Sequence, residues 1–373
     1  MPQTTTAALV ETAGAPFSLA EVELDDPRPD EVVVRVTAAG ICHTDLGVAA
    51  GALPFPLPGV LGHEGAGIVE AVGSAVTRVR PGDQVLLSFT SCGRCANCRD
   101  GHPAYCLAWL PLNLLGGARA DGSATVRKDG AALGSHFFGQ SSFARLAVVD
   151  ERSLVRVPEG APLDLLAPLG CGVQTGFGAV VNVLRPRPGA TIVVTGAGAV
   201  GLSAVMAARL TPATRIIAVD RVPDRLELAV QLGATDTLDT SSLGSGSAGL
   251  AAALADLTGG HGADGVIETT GNALVLGEAI NALAVRGCAV VVGAPAFGTQ
   301  VPVDVNFLLP GRTVTGLTLG DSETETLLPT LVDLVAAGRL PVERLVRHYK
   351  FEDINTAVAD MVAGTAVKPV LTF

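Results

Sequence analysis

The chain has 373 residues, 48% of them hydrophobic and 16% charged, which is enough for two domains with large buried cores and argues against disorder. Its 25 Lys and Arg against 36 Asp and Glu give a net charge of −11, which argues against nucleic acid or an anionic membrane as partner and favours a small molecule. The start "MPQTTTAALVETAG" lacks a signal-peptide pattern, and Gly, Pro or charge interrupts the later apolar runs. These features predict a soluble, cytoplasmic protein.

The part of the chain before Leu169 is predicted to be an irregular β-rich domain. Short Val-rich segments such as "EVVVRVTAAG" and "DQVLLSF" lie between Gly and Pro turns. This sequence pattern is typical of strands joined by tight loops rather than of alternating strands and helices.

Four of the seven cysteines lie within the segment "CGRCANCRDGHPAYC", in the spacing C-x2-C-x2-C-x7-C. In a reducing compartment such thiols are available to bind metal, and short C-x2-C steps let thiolates surround one ion in a closed tetrahedron. Incidental cysteines and a redox pair are the alternatives. The loop carries few basic residues, so it does not resemble a nucleic-acid-binding zinc ribbon. The segment predicts a structural zinc site at Cys92, Cys95, Cys98 and Cys106.

Three further cysteines remain, of which Cys288 lies in a strand-like run and is predicted to be a core thiol. Cys42 lies in "AAGICHTDL" and Cys171 in "APLGCGVQTG", and His63 lies between them in the sequence. Two thiolates and one imidazole form the ligand set of a catalytic zinc with one open position. The spacing alone does not show that the three converge, and a core histidine with two buried thiols is the alternative.

A glycine-rich turn in "ATIVVTGAGAVGLSAVMAARL" has the spacing G-x-G-x-x-G, follows a β-branched run and opens a helical pattern. Such glycines let a pyrophosphate approach backbone N–H groups at a helix N-terminus. The next strand, "RIIAVD", ends in a carboxylate that suits ribose hydroxyls and repels a 2′-phosphate, so NAD is predicted over NADP. The two arginines that follow weaken this preference. The predicted cofactor-binding residues are Gly196, Gly198, Ala199, Val200, Gly201, Asp220, Arg221 and Arg225.

The alternation of strand and helix patterns continues after the turn, which predicts an α/β doubly wound parallel sheet. A flexible turn in "SLGSGSAG" is predicted to lead into a helix. Two further helical segments and the strand "KPVLTF" close the chain. The cofactor domain is therefore predicted to be an insertion. The predicted boundaries are 1–173 for the first domain, 174–315 for the dinucleotide-binding domain, and 316–373 for the segment that completes the first domain.

The motifs "GICHTD", "GHEGAGIVEAVGSAV", the four-cysteine loop, "LGCGVQTG", "GAGAVG" and the terminal "LTF" resemble, in this order, those of zinc-dependent medium-chain alcohol dehydrogenases. The similarity runs over nearly the whole chain. Within that family, "HFFGQSSFA" and "VPVDVNFLL" are most similar to bacterial aryl-alcohol (benzyl alcohol) dehydrogenases. The resemblance implies a Rossmann domain inserted in a GroES-like catalytic domain.

The resemblance also implies residue roles. Cys42, His63 and Cys171 would bind the catalytic zinc, with Asp45 orienting His63 and Glu64 behind the metal. Thr44 would receive the alcohol proton. His43 and Lys368 would contact the cofactor pyrophosphate. Many members carry a histidine at the end of the proton relay where this chain has Gly47, so the terminus of the relay stays open.

The implied reaction interconverts a primary alcohol and its aldehyde by hydride transfer to NAD, with zinc as Lewis acid. Phe89, Trp109 and Phe138 would line the substrate pocket, which favours aryl or allylic alcohols, although ordinary core packing is an equal alternative. A homodimer or homotetramer is expected, with "VPVDVNFLLPGRTVTGLTL" as interface strand. The alternatives are a glutathione-dependent formaldehyde or polyol dehydrogenase, a biosynthetic tailoring enzyme that uses zinc, and an inactive zinc-stabilised binding protein.

Overall fold

The computed structural model describes residues 3–241, 243 and 249–373, which divide into two compact units. The first unit comprises the chain up to Cys171 together with Glu323–Phe373, and the second comprises Gly172–Ser322. Most of the flexible turn predicted in "SLGSGSAG", and the first two residues of the N-terminal segment, lie outside the described residues.

From residue 3 to Cys171, the described part of the first unit contains ten strands and three short α-helices. In chain order the strands are β1 Gln3–Val10, β2 Ser18–Leu24, β3 Glu31–Gly40, β4 Gly59–Val60, β5 Gly65–Val72, β6 Gln84–Leu87, β7 Val126–Lys128, β8 Ala131–Ala132, β9 Leu146–Asp150 and β10 Leu154–Arg156. The helices are α1 His43–Ala49, α2 Ala96–Arg99 and α3 Leu163–Leu166. The prediction of a β-rich first domain is confirmed.

The described residues of the second unit form a six-stranded sheet with helices between its strands. Its elements are α4 Gly172–Gly178, β11 Thr191–Thr195, α5 Ala199–Arg209, β12 Arg215–Asp220, α6 Pro223–Leu232, β13 Asp236–Asp239, α7 Leu250–Leu257, β14 Ala263–Glu268, α8 Ala273–Asn281, β15 Leu283–Val291, α9 Val305–Leu308 and β16 Thr313–Gly316. All neighbouring pairs are parallel, in the order β13-β12-β11-β14-β15-β16. This is the doubly wound order of a Rossmann fold, as predicted.

The last segment returns to the first unit and contributes α10 Thr324–Ala336, β17 Val346–Lys350, α11 Ile354–Ala363 and β18 Lys368–Thr372. The sequence predicted that this segment begins at residue 316, and the compact unit includes the chain from Glu323. Residues before it remain in the second unit because the turn Leu319–Asp321 is fixed there: Asn182 Nδ2 donates to the carbonyls of Gly320 and Asp321 at 2.8 and 3.2 Å.

Strand β3 organises the sheet of the first unit. It pairs with β5 along its length, and its other edge pairs with β9 through residues 31–35 and with β18 through residues 38–40. β3 is an interior strand of the sheet, and its β-branched segment from Val32 to Val34 is buried. The chain leaves β3 directly into Ile41 and Cys42, so the site described below is attached to a largely buried strand.

Among the described residues, no single helix is long and apolar enough to cross a membrane. Two consecutive short helical segments, Leu163–Gly170 and Gly172–Leu184, reach the required length and composition only when they are counted together.

His136 gives the first unit a predicted sensitivity to acid. Its side chain is buried, with 6% of the residue exposed, and burial lowers its pKa from 6.5 to about 4. The unfolded chain therefore binds this proton below about pH 6.5 and the folded chain does not, so stability is lost as the pH falls from about 6.5 towards 4. Between pH 7 and pH 5 we expect the free energy of unfolding of the wild type to fall by about 2 kcal/mol more than that of His136→Asn.

Asparagine suits this position because His136 has a left-handed backbone with φ 66°. Urea unfolding at the two pH values measures the difference, and the exposed His261, replaced in the same way, is the control. Equal pH slopes for the wild type and His136→Asn would contradict the prediction.

Candidate functional site

Cys42, His63 and Cys171 converge in the first unit. Cys42 lies between β3 and α1, His63 lies just before β5, and Cys171 follows the turn Ala167–Gly170. All three are buried, and their ligand atoms lie within 4.8 Å of one another. Nε2 of His63 is buried without a hydrogen-bond partner. Two sulfurs and one unpartnered imidazole nitrogen fit the donor set of a zinc ion with a fourth position for another ligand.

Asp45 fixes the geometry of this cluster from α1. One carboxylate oxygen, Oδ1, lies 3.0 Å from Nδ1 of His63 and accepts a hydrogen bond from the backbone N–H of Gly62 at 3.0 Å. The other, Oδ2, accepts from the N–H of Cys42 at 2.9 Å. Asp45 is fully buried and joins the segments of two candidate ligands. Bonding at Nδ1 directs Nε2 of the imidazole towards the cluster.

The ionisable groups of the cluster shift one another's pKa values. A hydrogen bond from Cys171 holds the pKa of the Cys42 thiol well below its usual range, and the same bond raises the pKa of Cys171. Burial opposes the charged form of His63, but the Asp45 carboxylate outweighs it and raises the pKa of His63 to about 10. Without a cation, bound protons balance the negative charge of the thiolates. Metal binding would release these protons.

Glu64 and Lys368 form a fully buried ion pair beside the cluster. Nζ of Lys368 lies 2.9 Å from both carboxylate oxygens of Glu64 and 3.0 Å from the carbonyl of Ile41. Burial raises the pKa of Glu64 and disfavours the charge of Lys368, but the Glu64 carboxylate raises the pKa of Lys368 above its usual value. A side chain at position 40 would fill this space, since a Cβ on Gly40 would lie 2.0 Å from Oε2 of Glu64.

This arrangement gives Lys368 a role that the sequence did not predict. An ammonium group has three N–H donors, and the three contacts to Ile41 and Glu64 use them. Only 1% of the residue is exposed. Lys368 therefore serves as the interior counter-ion of Glu64 in this arrangement, and its contact with the cofactor pyrophosphate stays a prediction.

Aromatic side chains lie directly against His63. Phe138 stacks on the imidazole with ring centroids 4.5 Å apart, and Trp109 contacts Phe138 edge-on at 5.5 Å. Phe137, which the sequence analysis did not select, contacts both His63 and Phe138. The third predicted pocket residue, Phe89, is 3% exposed.

The remaining predicted residues of this region begin helix α1. The Oγ1 atom of Thr44 lies 3.9 Å from the sulfur of Cys42, and Thr44 is partly buried. His43 is exposed. Gly47 is partly buried, and a Cβ there would lie 3.1 Å from the side chain of Leu53. Thr44 thus carries the hydroxyl group nearest in sequence to the candidate metal ligand Cys42.

The four cysteines of the loop at 92–106 form a second cluster in the first unit, with sulfurs within 4.8 Å of one another. The backbone N–H of Cys92 donates to the sulfur of Cys106 at 3.3 Å, and that of Cys95 donates to Cys92 at 3.4 Å. Hydrogen bonds from the N–H groups of Leu107 and Cys98 lower the pKa of Cys95 to about 6. Four sulfurs with backbone donors directed at them fit a closed tetrahedral zinc site.

The second unit carries the glycine turn at the carboxyl end of β11. Gly196 has φ 91°, and a Cβ on Gly201 would lie 1.7 Å from the carbonyl oxygen of Gly196, so the turn closes tightly on the helix that follows. A Cβ on Gly198 would meet nothing within 4 Å, so space for a ligand lies beside the N-terminus of α5, where Ala199 and Val200 begin the helix.

Asp220 lies at the end of β12, next to this turn. Its carboxylate accepts from the N–H of Ala197 at 2.6 Å and from those of Arg221 and Val222 at 2.7 and 3.0 Å. Arg221 is exposed, whereas Nε of Arg225 is buried without a partner. The structure therefore brings the predicted acidic residue to the glycine turn. Sequence reasoning missed Thr269, whose hydroxyl donates to the carbonyls of Thr195 and Gly196 and supports the turn from β14.

Comparison with known protein families gives matches over most of the chain. The family described as "Alcohol dehydrogenase GroES-like domain" matches residues 28–159, and "Zinc-binding dehydrogenase" matches residues 199–336. Among curated proteins, the geraniol dehydrogenase of Castellaniella defragrans is 43% identical over 368 residues, which cover 98% of this chain and 97% of that protein.

Solved structures show the same similarity. The alcohol dehydrogenase zinc-binding domain protein of Burkholderia ambifaria is 50% identical, with a TM-score of 0.95 and full coverage of both chains. The benzyl alcohol dehydrogenase of Acinetobacter calcoaceticus is 42% identical, with a TM-score of 0.94 and coverage of 100% of this chain and 99% of that one.

Proposed function

Because the chain belongs to the zinc-dependent medium-chain alcohol dehydrogenase family, we propose that it oxidises flat, benzylic or allylic primary alcohols to aldehydes with NAD as acceptor. It is a zinc-dependent alcohol oxidoreductase whose cofactors are zinc and a nicotinamide dinucleotide. The observation that carries the proposed substrate class is the aromatic stack on His63, formed by Phe138 and Trp109.

We propose that Cys42, His63 and Cys171 bind the catalytic zinc. When bound there, zinc lowers the pKa of an alcohol and polarises an aldehyde carbonyl. The chain's own residues would prepare this site: Asp45 orients His63, and the hydroxyl of Thr44 would accept the proton that the alcohol loses. The cysteine cluster at 92–106 would bind a second zinc ion, which stabilises the loop and takes no part in the reaction.

The aromatic side chains support a substrate with an unsaturated carbon next to the carbinol. A ring or double bond in that position is planar, and aromatic contacts are worth about 0.5–1.5 kcal/mol beyond the area that they bury. Trp109 and Phe138 would supply such contacts close to a metal ligand. The relatives named geraniol dehydrogenase and benzyl alcohol dehydrogenase point to the same class, one allylic and one benzylic.

The preference for NAD rests on Asp220. A carboxylate beside the glycine turn accepts hydrogen bonds from ribose hydroxyls, and it would repel the 2′-phosphate of NADP by several kcal/mol of like-charge interaction. The glycine turn at Gly196, Gly198 and Gly201 would receive the pyrophosphate at the N-terminus of α5.

We also propose a homo-oligomeric, cytoplasmic enzyme. Strand β16 ends the order of the parallel sheet, and Val305, Leu309 and Val314 near it are exposed, which suits pairing with a second copy. This surface lies within the apolar segment predicted as an interface. None of the seven cysteines forms a disulfide in the structure, as is usual in a reducing compartment.

A paired alcohol screen tests the proposed substrate class. Benzyl alcohol is compared with cyclohexylmethanol and geraniol with citronellol, so that each pair differs chiefly in unsaturation. We expect kcat/KM to be at least about fivefold higher for the unsaturated member, because about 1 kcal/mol of aromatic contact is lost with the saturated one. The absorbance of the reduced nicotinamide, followed with NAD and with NADP, gives the rates.

Two further experiments test the cofactor preference and the glutathione-dependent alternative. Asp220→Asn, which removes one charge and keeps the shape, should raise the NADP to NAD ratio of kcat/KM by about tenfold or more. Formaldehyde is supplied with and without glutathione. Turnover of the glutathione adduct alone, or equal rates for both members of each pair, would contradict the proposed substrate class.

A further inference from the structure

A buried glutamine lies between the segments that carry two of the candidate zinc ligands. Gln140 is 1% exposed, and its side-chain amide makes three hydrogen bonds to backbone groups. Oε1 accepts from the N–H of Gly65, while Nε2 donates to the carbonyls of His63 and Ser88, all at 3.0 Å. Both N–H donors of the amide are thus used, and its oxygen accepts one hydrogen bond.

Two of these contacts lie on either side of Glu64. Gln140 binds the carbonyl of His63 and the N–H of Gly65, so one side chain fixes the backbone through which His63 enters β5. The imidazole is fixed separately at its ring by Asp45. Gln140 therefore restrains the backbone of this ligand, and Asp45 restrains its side chain.

The third contact extends towards Cys171. Ser88, whose carbonyl accepts from Gln140, donates its own hydroxyl to the carbonyl of Gly170 at 2.7 Å. Gly170 directly precedes Cys171, and a Cβ on Gly170 would lie 2.1 Å from the carbonyl oxygen of Leu87, so this approach is close. The chain of contacts from His63 through Gln140 and Ser88 to Gly170 is buried throughout.

We propose that Gln140 and Ser88 are positioning residues that set the separation between His63 and Cys171, and thereby the affinity and geometry of the catalytic metal site. The inference rests on the proposed function, since it assumes that these ligands bind zinc. Outer contacts that orient metal ligands are commonly worth about 10–100-fold in metal affinity or activity. A side chain that links two ligand segments is expected to act in that range.

Asn113 provides a matched control. It is also 1% exposed, and its side-chain amide makes three hydrogen bonds to the backbone, with the N–H and carbonyl of Thr90 and the carbonyl of Trp109, all at 2.9 Å. None of these partners is next to Cys42, His63 or Cys171 in the sequence. Gln140→Leu and Asn113→Leu therefore remove the same number of side-chain hydrogen bonds, and only the first removes contacts to a ligand segment.

The test uses the full-length protein with cobalt in place of zinc. The visible spectrum of Cys42→Ala is subtracted from that of the wild type, which isolates the bands of the site at Cys42, His63 and Cys171. We expect Gln140→Leu to shift these bands and to weaken metal binding there by about tenfold or more, measured by competition with a chelator. Asn113→Leu should keep both the band positions and the affinity.

Ser88→Ala removes one hydroxyl and tests the same link with a smaller change. We expect it to weaken metal binding in the same direction, and the double variant to lose less than the product of the two single losses, because both act through one chain of contacts. Ser88→Ala also tests the positioning role if Gln140→Leu does not fold.

The outcomes separate the two proposals. If the wild type shows no cobalt bands that depend on Cys42, the proposed metal site fails. If those bands are present and Gln140→Leu and Ser88→Ala match the wild type in spectrum and affinity, the positioning role is wrong. Equal losses in Gln140→Leu and Asn113→Leu would likewise overturn it, since general destabilisation would then account for the effect.

Discussion

Replacing Cys42 with alanine is expected to lower kcat/KM for alcohol oxidation by at least about three orders of magnitude, because a Lewis acid at the reacting oxygen supplies several kcal/mol. Cys42 is buried beside His63 and Cys171, and no other described cysteine lies in that cluster. Binding of NAD should be retained, because the glycine turn belongs to the second unit. Stopped-flow turnover and NAD titration measure the two properties separately.

Metal content gives a readout of the same variant that does not depend on activity. The two clusters predict one zinc ion each, so Cys42→Ala should lose one zinc per chain and keep the ion at the four-cysteine loop. Cys288→Ala is the control, since this partly buried thiol of β15 belongs to neither cluster. Full activity of Cys42→Ala, or a competent wild-type preparation with a single zinc ion per chain, would contradict the proposed site.

The parts of the site whose residues are close neighbours along the chain could be predicted from the sequence. The cysteines at 92–106 cluster because their spacing already places them in one loop. The glycine turn could be read in the same way, and strand β12 has the predicted bounds Arg215–Asp220 because a β-branched run ends at a charged residue. In each case local geometry decides the outcome.

The long-range pairings could not be read in this way. Glu64 and Lys368 lie 304 positions apart, and a lone lysine near the C-terminus carries no signal for burial beside a glutamate. Gln140 bonds to residues 75 and 77 positions away, and its segment "HFFGQSSFA" contributed only to the family resemblance. Burial of polar side chains depends on which distant backbone groups they meet, and single-sequence spacing does not show this.

Replacing Lys368 with methionine is expected to lower the free energy of unfolding by about 3–5 kcal/mol, since loss of one partner leaves a buried charge uncompensated. Glu64 is fully buried, and its two carboxylate oxygens each lie 2.9 Å from the lysine ammonium. Methionine keeps the apolar part of the side chain, so the effect of charge dominates. Urea unfolding of the zinc-loaded protein at pH 7, followed by a signal of the first unit, measures the loss.

The control for this prediction is a second change that removes the stranded charge. In the double variant Glu64→Gln with Lys368→Met, both charges are gone, and most of the lost stability should return because a neutral amide costs less to bury than a carboxylate. The affinity for NAD should stay within about twofold of the wild type in the single variant, because the ammonium is fully occupied by Glu64 and Ile41. A large loss of NAD affinity with little loss of stability would instead support a direct contact between Lys368 and the cofactor phosphates, and would show that the buried pair opens when the cofactor binds.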